Sequence, residues 1–430
     1  MIRKGSAVIA VLILSGVSGN NLLSQTKPGL DTTAFVVMGE GLAAGMANYG
    51  LSSVVQQYSF PAQVAAQMKT AFVQPLIQPP GIGDVIGYPG QEVKLQVYPQ
   101  GSVREFYTVE GSKVASPPLL LTNLSVPGLT LAESLSLRPV LPVAQRNMKQ
   151  TVVNLILGFP QLFVKNVPLW SQFEYAKAMF PTMTLVELGY YEALDAAVNG
   201  DPNRMPDPAA FGANYNTVLA GLRSLQSQVI VTTIPNPLDT AYFSSPAVAA
   251  QVTATNSFVI TAGFRVGEQD YLTRNALMTI ANYFTNGTIG PLPAGSILPA
   301  ATAAAITSRV NALNTQIVNA AKANGAVVYD LNAFLHRIKL NGATVGSNAL
   351  TANYLGGFYS MDAVYPGPTG HSLIANDLLN FINQTYSTSF PLVNVATVAA
   401  EDQTIRTLKP RSEEYRLESL RVVAEGTIVQ

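Results

Sequence analysis

Short runs of consecutive apolar residues, each closed by glycine, proline or a polar turn, recur along most of the chain. Five of them predict buried core strands, because they are rich in Val, Leu and Ile and too short for helices. They lie at 34–39, 119–124, 184–189, 229–236 and 327–331. Stretches with helical periodicity separate them, including 58–68, 215–225 and 301–324. The alternation predicts a parallel sheet with helices covering both faces.

The last helical pattern has one apolar face. Ile374, Leu378 and Ile382 repeat every four residues, and the predicted helix runs to about residue 386. Two prolines hold the preceding loop extended, and Thr369 is suited to cap the helix.

The alternation favours one domain over two, covering residues 30–398. A Gly- and Pro-rich insertion near 75–117 contains a predicted hairpin at 93–109. A second insertion, near 239–300, is predicted to be long and irregular. It is either a lid or binding wall over a site, or a packed decoration without function. Residues 399–430 form a mixed-charge tail, interpreted as a solvated helix or a disordered end.

The composition excludes several functions. The 430 residues contain 25 Lys and Arg against 25 Asp and Glu, so charge gives no case for nucleic-acid binding. No cysteine and only two histidines argue against disulfides and a zinc site. No phosphate-binding glycine loop with a following lysine is present, and we predict no cofactor. Charged residues are only 12% of the chain, which fits a crowded envelope or apolar contacts, or reflects lineage bias.

The amino terminus has the pattern of a secretory signal peptide at 1–19. Arg3 and Lys4 precede an apolar run at 7–14, and small residues end at Gly19, where cleavage is expected. The alternative, an uncleaved anchor, would need about 20 apolar residues. No later segment is long and apolar enough to span a membrane. The sequence thus predicts an exported protein, periplasmic or extracellular.

Candidate chemistry begins at the loop that precedes the last helix. Its sequence places Asp362 three residues before Tyr365, then Pro366, and a Gly370-His371 pair at the helix start. This arrangement resembles the last motif of the SGNH/GDSL ester hydrolases, in which Asp, two variable residues, His and Pro occur in this order. Tyr365 therefore stands where the resemblance places the catalytic histidine.

The end of the first predicted strand carries a second part of the resemblance. The family reads Gly-Asp-Ser-Leu here, and this chain reads Gly39-Glu40-Gly41-Leu42. A strand, a tight turn and a helix expose a nucleophile at the carboxyl end of a sheet strand. By this resemblance Gly41 occupies the position of the nucleophilic serine.

Two further positions resemble the family's oxyanion hole. Gly128 follows the second predicted strand, where the family's glycine donates its backbone N–H; the alternative is an ordinary turn glycine. After the third strand the family has Gly-x-Asn-Asp, and this chain has Gly189, then Tyr191 and Glu192 in place of Asn and Asp.

The resemblance implies a three-layer α/β/α, flavodoxin-like SGNH fold with a central five-stranded parallel sheet and insertions. It also implies a damaged site. Gly41 has no side chain, and the phenol of Tyr365, with an ordinary pKa of about 10, is a poor base at neutral pH. Only Asp362 and the backbone of Gly128 are kept. Loss of one triad member already costs orders of magnitude in rate.

A few residues remain as substitutes for the missing groups. Glu40 is either a carboxylate nucleophile or base, or a hydrogen-bonded turn residue. His371 is either a base or a capping or packing group. Glu192 is a further candidate for rescue or binding. His336 is expected on the side of the domain away from the candidate site, and the hydroxyl of Ser360 has no obvious partner for catalysis.

The leading interpretation is an exported SGNH/GDSL-family protein that is catalytically degenerate and acts in binding or structure in the envelope. The alternatives are a divergent ester hydrolase with relocated catalytic residues, and a structural envelope protein without a ligand. Tyr191 and Tyr365 either line a cleft for an acyl chain or a sugar, or fill the vacated pocket. The sequence does not predict the oligomeric state.

Overall fold

The computed structural model describes residues 29–79, 81–83, 121–143, 145–158 and 168–408. The predicted signal peptide at 1–19, the hairpin at 93–109 and the tail beyond residue 408 lie outside the described residues. They stay predictions.

The central element is a parallel sheet. In chain order the strands are β1 (Phe35–Gly39), β2 (Met183–Glu187), β3 (Gln228–Thr232), β4 (Phe243–Ser244), β5 (Tyr271–Thr273), β6 (Ile297–Leu298), β7 (Val327–Tyr329), β8 (Ala343–Val345) and β9 (Asn348–Leu350). Within the described residues, β1, β2, β3 and β7 form the sheet in that order, and all their pairings are parallel. β1 and β2 are in register from Phe35 and Met183 to Gly39 and Glu187.

An extended segment stands beside β1, where the sequence predicts a fifth strand at 119–124. The Val37 N–H donates to the Thr122 carbonyl (2.8 Å), and the Leu124 N–H donates to the Val37 carbonyl (2.9 Å). The pairing is parallel, but it does not extend into a regular strand. The described sheet therefore has four strands and this segment, in the spatial order of flavodoxin-like folds.

The α-helices, in chain order, are α1 (Gly41–Ala44), α2 (Ser53–Gln56), α3 (Phe60–Met68), α4 (Leu131–Ser136), α5 (Met148–Leu157), α6 (Gln172–Ala178), α7 (Tyr190–Val198), α8 (Pro208–Arg223), α9 (Pro246–Val252), α10 (Arg274–Thr285), α11 (Ala300–Asn324), α12 (Leu331–Asn341), α13 (Pro368–Tyr386), α14 (Val395–Glu401) and α15 (Gln403–Leu408). Short 3-10 turns lie at Pro202–Arg204 and Pro237–Asp239, and a π-helix at Val259–Gly263. Within the described residues, no helix is long and apolar enough to cross a membrane.

Helices cover both faces of the sheet. Every residue of β1 and β2 is buried, which requires packing on the two opposite sides to which successive side chains point. α8 packs on α11, and α3 packs on α13. The predicted α/β class with a helix-covered parallel sheet is confirmed.

The insertion near 239–300 is more regular than its sequence predicts. β4, β5 and β6 form a small antiparallel sheet, and α9 and α10 lie within the same region. Arg274, the first residue of α10, is buried and donates to the hydroxyls of Tyr49 (3.0 Å) and Tyr354 (3.1 Å). These strands could not be predicted from the sequence, because two or three residues are too few to show an alternating pattern.

The start of the predicted tail also belongs to the packed domain. α15 begins at Gln403, and the buried Asp402 accepts from the Thr369 N–H (3.0 Å) and hydroxyl (2.7 Å). Thr369 lies inside α13 and does not cap it, which corrects the sequence expectation. Asp402 supplies the missing acceptor at this helix start.

Candidate functional site

The positions that the resemblance assigns to nucleophile and base are in contact. β1 ends at Gly39 and α1 begins at Gly41, while Tyr365 comes from the loop before α13. A Cβ atom on Gly41 would lie 2.6 Å from the Tyr365 hydroxyl oxygen and 2.7 Å from its Cζ. Both residues are buried. The tyrosine therefore fills the space that a serine side chain would take.

Glu40 lies between these two positions. Its Oε1 accepts from the Leu42 N–H (2.7 Å), which caps α1, and its Oε2 accepts from the Tyr365 hydroxyl (3.1 Å). Burial raises the pKa of this carboxyl to about 7, and hydrogen bonds from the backbone of Leu42, Gly41 and Gly128 oppose the rise. The backbone N–H of Gly128, which the resemblance assigns to an oxyanion hole, is thus directed at a side chain of the protein itself.

Glu187 is a site residue that the sequence analysis missed. It ends β2, and its Oε2 accepts from the backbone N–H groups of Glu40 and Ala43, both at 3.2 Å. Burial raises its pKa well above the ordinary value, and the nearby charge of Glu40 adds to the effect. Its one signal in the sequence is a carboxyl group within a mostly apolar run, and this does not distinguish it from an ordinary strand end.

Tyr191, at the position of the oxyanion-hole asparagine, covers Gly128. A Cβ on Gly128 would lie 3.6 Å from the Tyr191 ring, and the Lys149 ammonium lies 5.0 Å from the ring centroid. Gly128 has a φ of +77°, so it is also a turn glycine with a left-handed backbone. Burial raises the pKa of Tyr191 to about 12, so its phenol stays neutral.

Glu192 holds a neighbouring helix. Its Oε1 accepts from the N–H of Leu131, the first residue of α4, at 2.7 Å. Its Oε2 has no hydrogen-bond partner within the described part of the chain. Burial raises the pKa of this carboxyl to about 7.

Asp362 orders its own loop. Its Oδ1 accepts from the N–H groups of Val364 (2.8 Å) and Tyr365 (2.9 Å), and its Oδ2 from that of Tyr49 (3.4 Å). Ser360 hydrogen-bonds to Asp362 and accepts from the Asn48 N–H (3.0 Å), so the expectation that its hydroxyl lacks a partner was wrong. The hydroxyl of the residue at the base position points to Glu40 rather than to this aspartate.

His371 is a packing group. It is 1% exposed, and its ring stacks on Phe60 with centroids 6.2 Å apart and an interplanar angle of 12°. Neither ring nitrogen has a hydrogen-bond partner among the residues that the structure describes. Burial lowers the pKa of the imidazole to about 3, which makes it a very weak base. The candidate role of His371 as a base has no support in this geometry.

His336, in α12, is directed elsewhere. Its Nδ1 lies 2.9 Å from Oδ2 of Asp239, and the imidazole is largely exposed. Within residues 29–79, 81–83, 121–143, 145–158 and 168–408, no group of three or more potential ligands could hold a metal ion.

The arrangement brings together Gly41, Glu40, Tyr365, Gly128, Tyr191 and Asp362, from segments far apart in the chain. Ester hydrolysis needs an oxygen nucleophile next to a base. Here a buried phenol and buried carboxyl groups with raised pKa values occupy those places. The geometry is that of a closed hydrogen-bonded cluster.

Comparison with known proteins gives distant structural matches only. No family model and no curated protein matches the chain. The solved structures that are similar to it include LAE5, an alpha/beta hydrolase from the metagenome of Lake Arreo in Spain; the lipase/acylhydrolase from Enterococcus faecalis; and phospholipase A1 from Streptomyces albidoflavus.

The three matches span most of each chain at low identity. The LAE5 match has 11% identity and a TM-score of 0.35, covering 83% of this chain and 96% of that one. The Enterococcus match has 13% identity and 0.33, covering 82% and 96%. The Streptomyces match has 11% identity and 0.35, covering 81% and 99%. These TM-scores are too low for the three structures to indicate a function for this chain.

Proposed function

We propose that the chain is an exported protein of the SGNH/GDSL type that has lost ester hydrolysis and acts in binding or structure in the envelope. The contact between Gly41 and the ring of Tyr365 carries this proposal. Gly41 has no side chain that could act as the nucleophile. The ring of Tyr365, which stands at the position of the base, occupies the space where that side chain would be.

The groups around this contact support the same conclusion. Glu40 already binds the Leu42 N–H and the Tyr365 hydroxyl, and the Gly128 backbone also faces it. A substrate carbonyl would have to displace a buried carboxyl group to reach the Gly128 N–H. The Tyr191 ring also covers Gly128. Each requirement of the acyl-transfer mechanism is therefore either absent or occupied.

Export is supported by the sequence pattern at 1–19 alone. Its test is expression of the full chain in a bacterial host and mass spectrometry of the periplasm and medium. A mature form that begins at Asn20 is expected. Full-length protein retained in the cytoplasm would contradict export.

The loss of hydrolysis is tested on the purified mature chain with p-nitrophenyl acetate, butyrate and octanoate. We expect rates equal to those of the Asp362→Asn variant, which is the matched control for contaminating esterases. Turnover by the unchanged chain that disappears in Asp362→Asn would overturn the proposal. It would favour the alternative, a divergent ester hydrolase.

A further inference from the structure

A surface groove lies away from the Gly41 site. It has a volume of about 670 Å³, within the size range of small-molecule pockets. Its floor is one face of the first three turns of α11, including Ala304, Ser308 and Asn311. Its wall is formed by the loop that leads into β5, including Glu268, and by Tyr271, the first residue of that strand. The segment after β3 closes one side with Leu238, so the groove lies beyond the carboxyl end of that strand, where α/β folds place ligands.

The groove is held in shape before any ligand binds. Asp270 joins the wall to the floor, because its Oδ1 accepts from the Ala300 N–H of α11 (2.9 Å) and its Oδ2 from the Gly267 N–H (2.8 Å). Pairing of Tyr271 with Leu298 ties β5 to the strand just before α11. A preformed site loses little conformational entropy on binding.

The lining is chemically mixed and carries no positive charge. Ser308 and Asn311 supply hydroxyl and amide groups, which both donate and accept hydrogen bonds. Glu268 adds an exposed carboxylate, and none of the described residues lining the groove is a lysine or arginine. The nearest cation along the helix, Arg309, donates instead to the Pro206 carbonyl. Anionic ligands such as fatty acids or phospholipid headgroups are therefore disfavoured.

The apolar part of the lining consists of Leu238, three alanines and the ring of Tyr271. Ala304 has only a methyl group, and half-buried Tyr271 supplies an aromatic ring with a polar hydroxyl. An acyl chain would need an enclosed apolar channel, whereas a sugar ring presents one apolar face and a rim of hydroxyls. These surfaces fit an uncharged sugar.

We propose that this groove is a binding site for neutral carbohydrate chains. The proposal rests on the proposed function, since it supplies a ligand class for a binding role. The hydroxyls of the sugar bond to Glu268, Ser308 and Asn311, and one sugar face lies on Tyr271. Because the groove is open to solvent, it takes a segment of a longer chain rather than an enclosed small molecule.

The test uses the labelled mature chain on an array of neutral gluco-, xylo-, manno- and galacto-oligosaccharides. Sulfated and uronic-acid oligosaccharides stand beside them. The best neutral oligosaccharide is then titrated by calorimetry. Ala304→Leu fills the floor, and Ala305→Leu is its matched control, since Ala305 is equally exposed but does not line the groove. Asn311→Leu removes an amide at a similar side-chain shape.

We expect binding to neutral spots, weakened at least tenfold by Ala304→Leu and by Asn311→Leu and unchanged by Ala305→Leu. No binding to any neutral spot, binding only to acidic spots, or equal binding by Ala304→Leu would overturn the proposal. The ester assay on the same preparation separates the two claims. A chain inert toward esters that binds no sugar overturns only the groove, whereas ester turnover overturns the proposed function.

Discussion

The hydroxyl oxygen of Tyr365 lies so close to Gly41 that a Cβ atom on residue 41 would be only 2.6 Å away from it. The two residues are 324 positions apart in the chain, and each fits only because of the other. A side chain at 41 would collide with the ring, and a smaller residue at 365 would leave a cavity beside Glu40.

The first prediction concerns this contact. Gly41→Ala is expected to lower the free energy of unfolding by about 1–3 kcal/mol, because the new methyl group overpacks a buried site. Urea unfolding measures the change. Gly263→Ala is the control, since a Cβ there meets only Val259 Cγ1, at 3.9 Å.

A double-mutant cycle makes the same test specific to the pair. In the Tyr365→Leu background the cost of Gly41→Ala should fall, giving a coupling energy of at least about 0.5 kcal/mol. Equal costs in both backgrounds would show that the ring does not fill the space of residue 41.

The second prediction concerns restoration of activity. The triple variant Gly41→Ser, Tyr191→Asn and Tyr365→His rebuilds the side chains of the resemblance but leaves the carboxyl group of Glu40 on the backbone donors. Adding Glu40→Asp shortens that side chain by one methylene. Hydrolysis of p-nitrophenyl acetate should therefore be greater in the quadruple variant than in the triple. Equal rates in two folded variants would show that Glu40 does not block the donors.

The third prediction concerns pH. When folding raises the pKa of an acid, the folded chain binds its proton more tightly than the unfolded chain does. The contribution of that acid to the free energy of unfolding is therefore greatest below about pH 4.5, the pKa in the unfolded chain. For Glu192 that effect is lost as the pH rises through about 7. A shift from 4.5 to about 7 corresponds to on the order of 3 kcal/mol.

Glu192→Gln keeps the acceptor for the Leu131 N–H and removes the titration. Urea unfolding from pH 5 to pH 8 should show the variant gaining stability relative to the unchanged chain as the pH rises. A difference that stays constant with pH would contradict the raised pKa of Glu192.

The fourth prediction concerns His371. Its pKa falls to about 3 on folding. Below about pH 6.5 the unfolded chain therefore binds a proton at this imidazole and the folded chain does not, so the folded chain loses stability as the pH falls. His371→Leu keeps a side chain packed against Phe60 and removes the loss of stability at low pH that the imidazole causes. The variant should therefore become more stable relative to the unchanged chain as the pH falls from 7 to 4, measured by thermal unfolding. Parallel curves would indicate that the imidazole is not desolvated.

The core sheet was predictable because its strands are continuous apolar runs, and burial on both faces leaves that pattern in the sequence. The only indication in the sequence that Gly41 lies near Tyr365 was their positions in two motifs of the resemblance. Motif register places residues at one end of a sheet, but it carries no information on whether a ring lines a cleft or fills it.

Other site features depend on contacts that leave no local pattern. Glu187 looks like an ordinary strand end in sequence, and its role appears only when the backbone of Glu40 is placed beside it. The groove along α11 escaped prediction for the same reason, since Ala304 and Ser308 resemble any exposed helix face.

Labelling of the purified mature chain with a fluorophosphonate probe, followed by intact mass spectrometry, tests most directly whether the chain has lost ester hydrolysis, as we propose. Such probes react with a serine that an adjacent base has activated, wherever it lies in the chain. We expect no mass shift under conditions that label an active serine esterase completely. Stoichiometric labelling of one serine would contradict it.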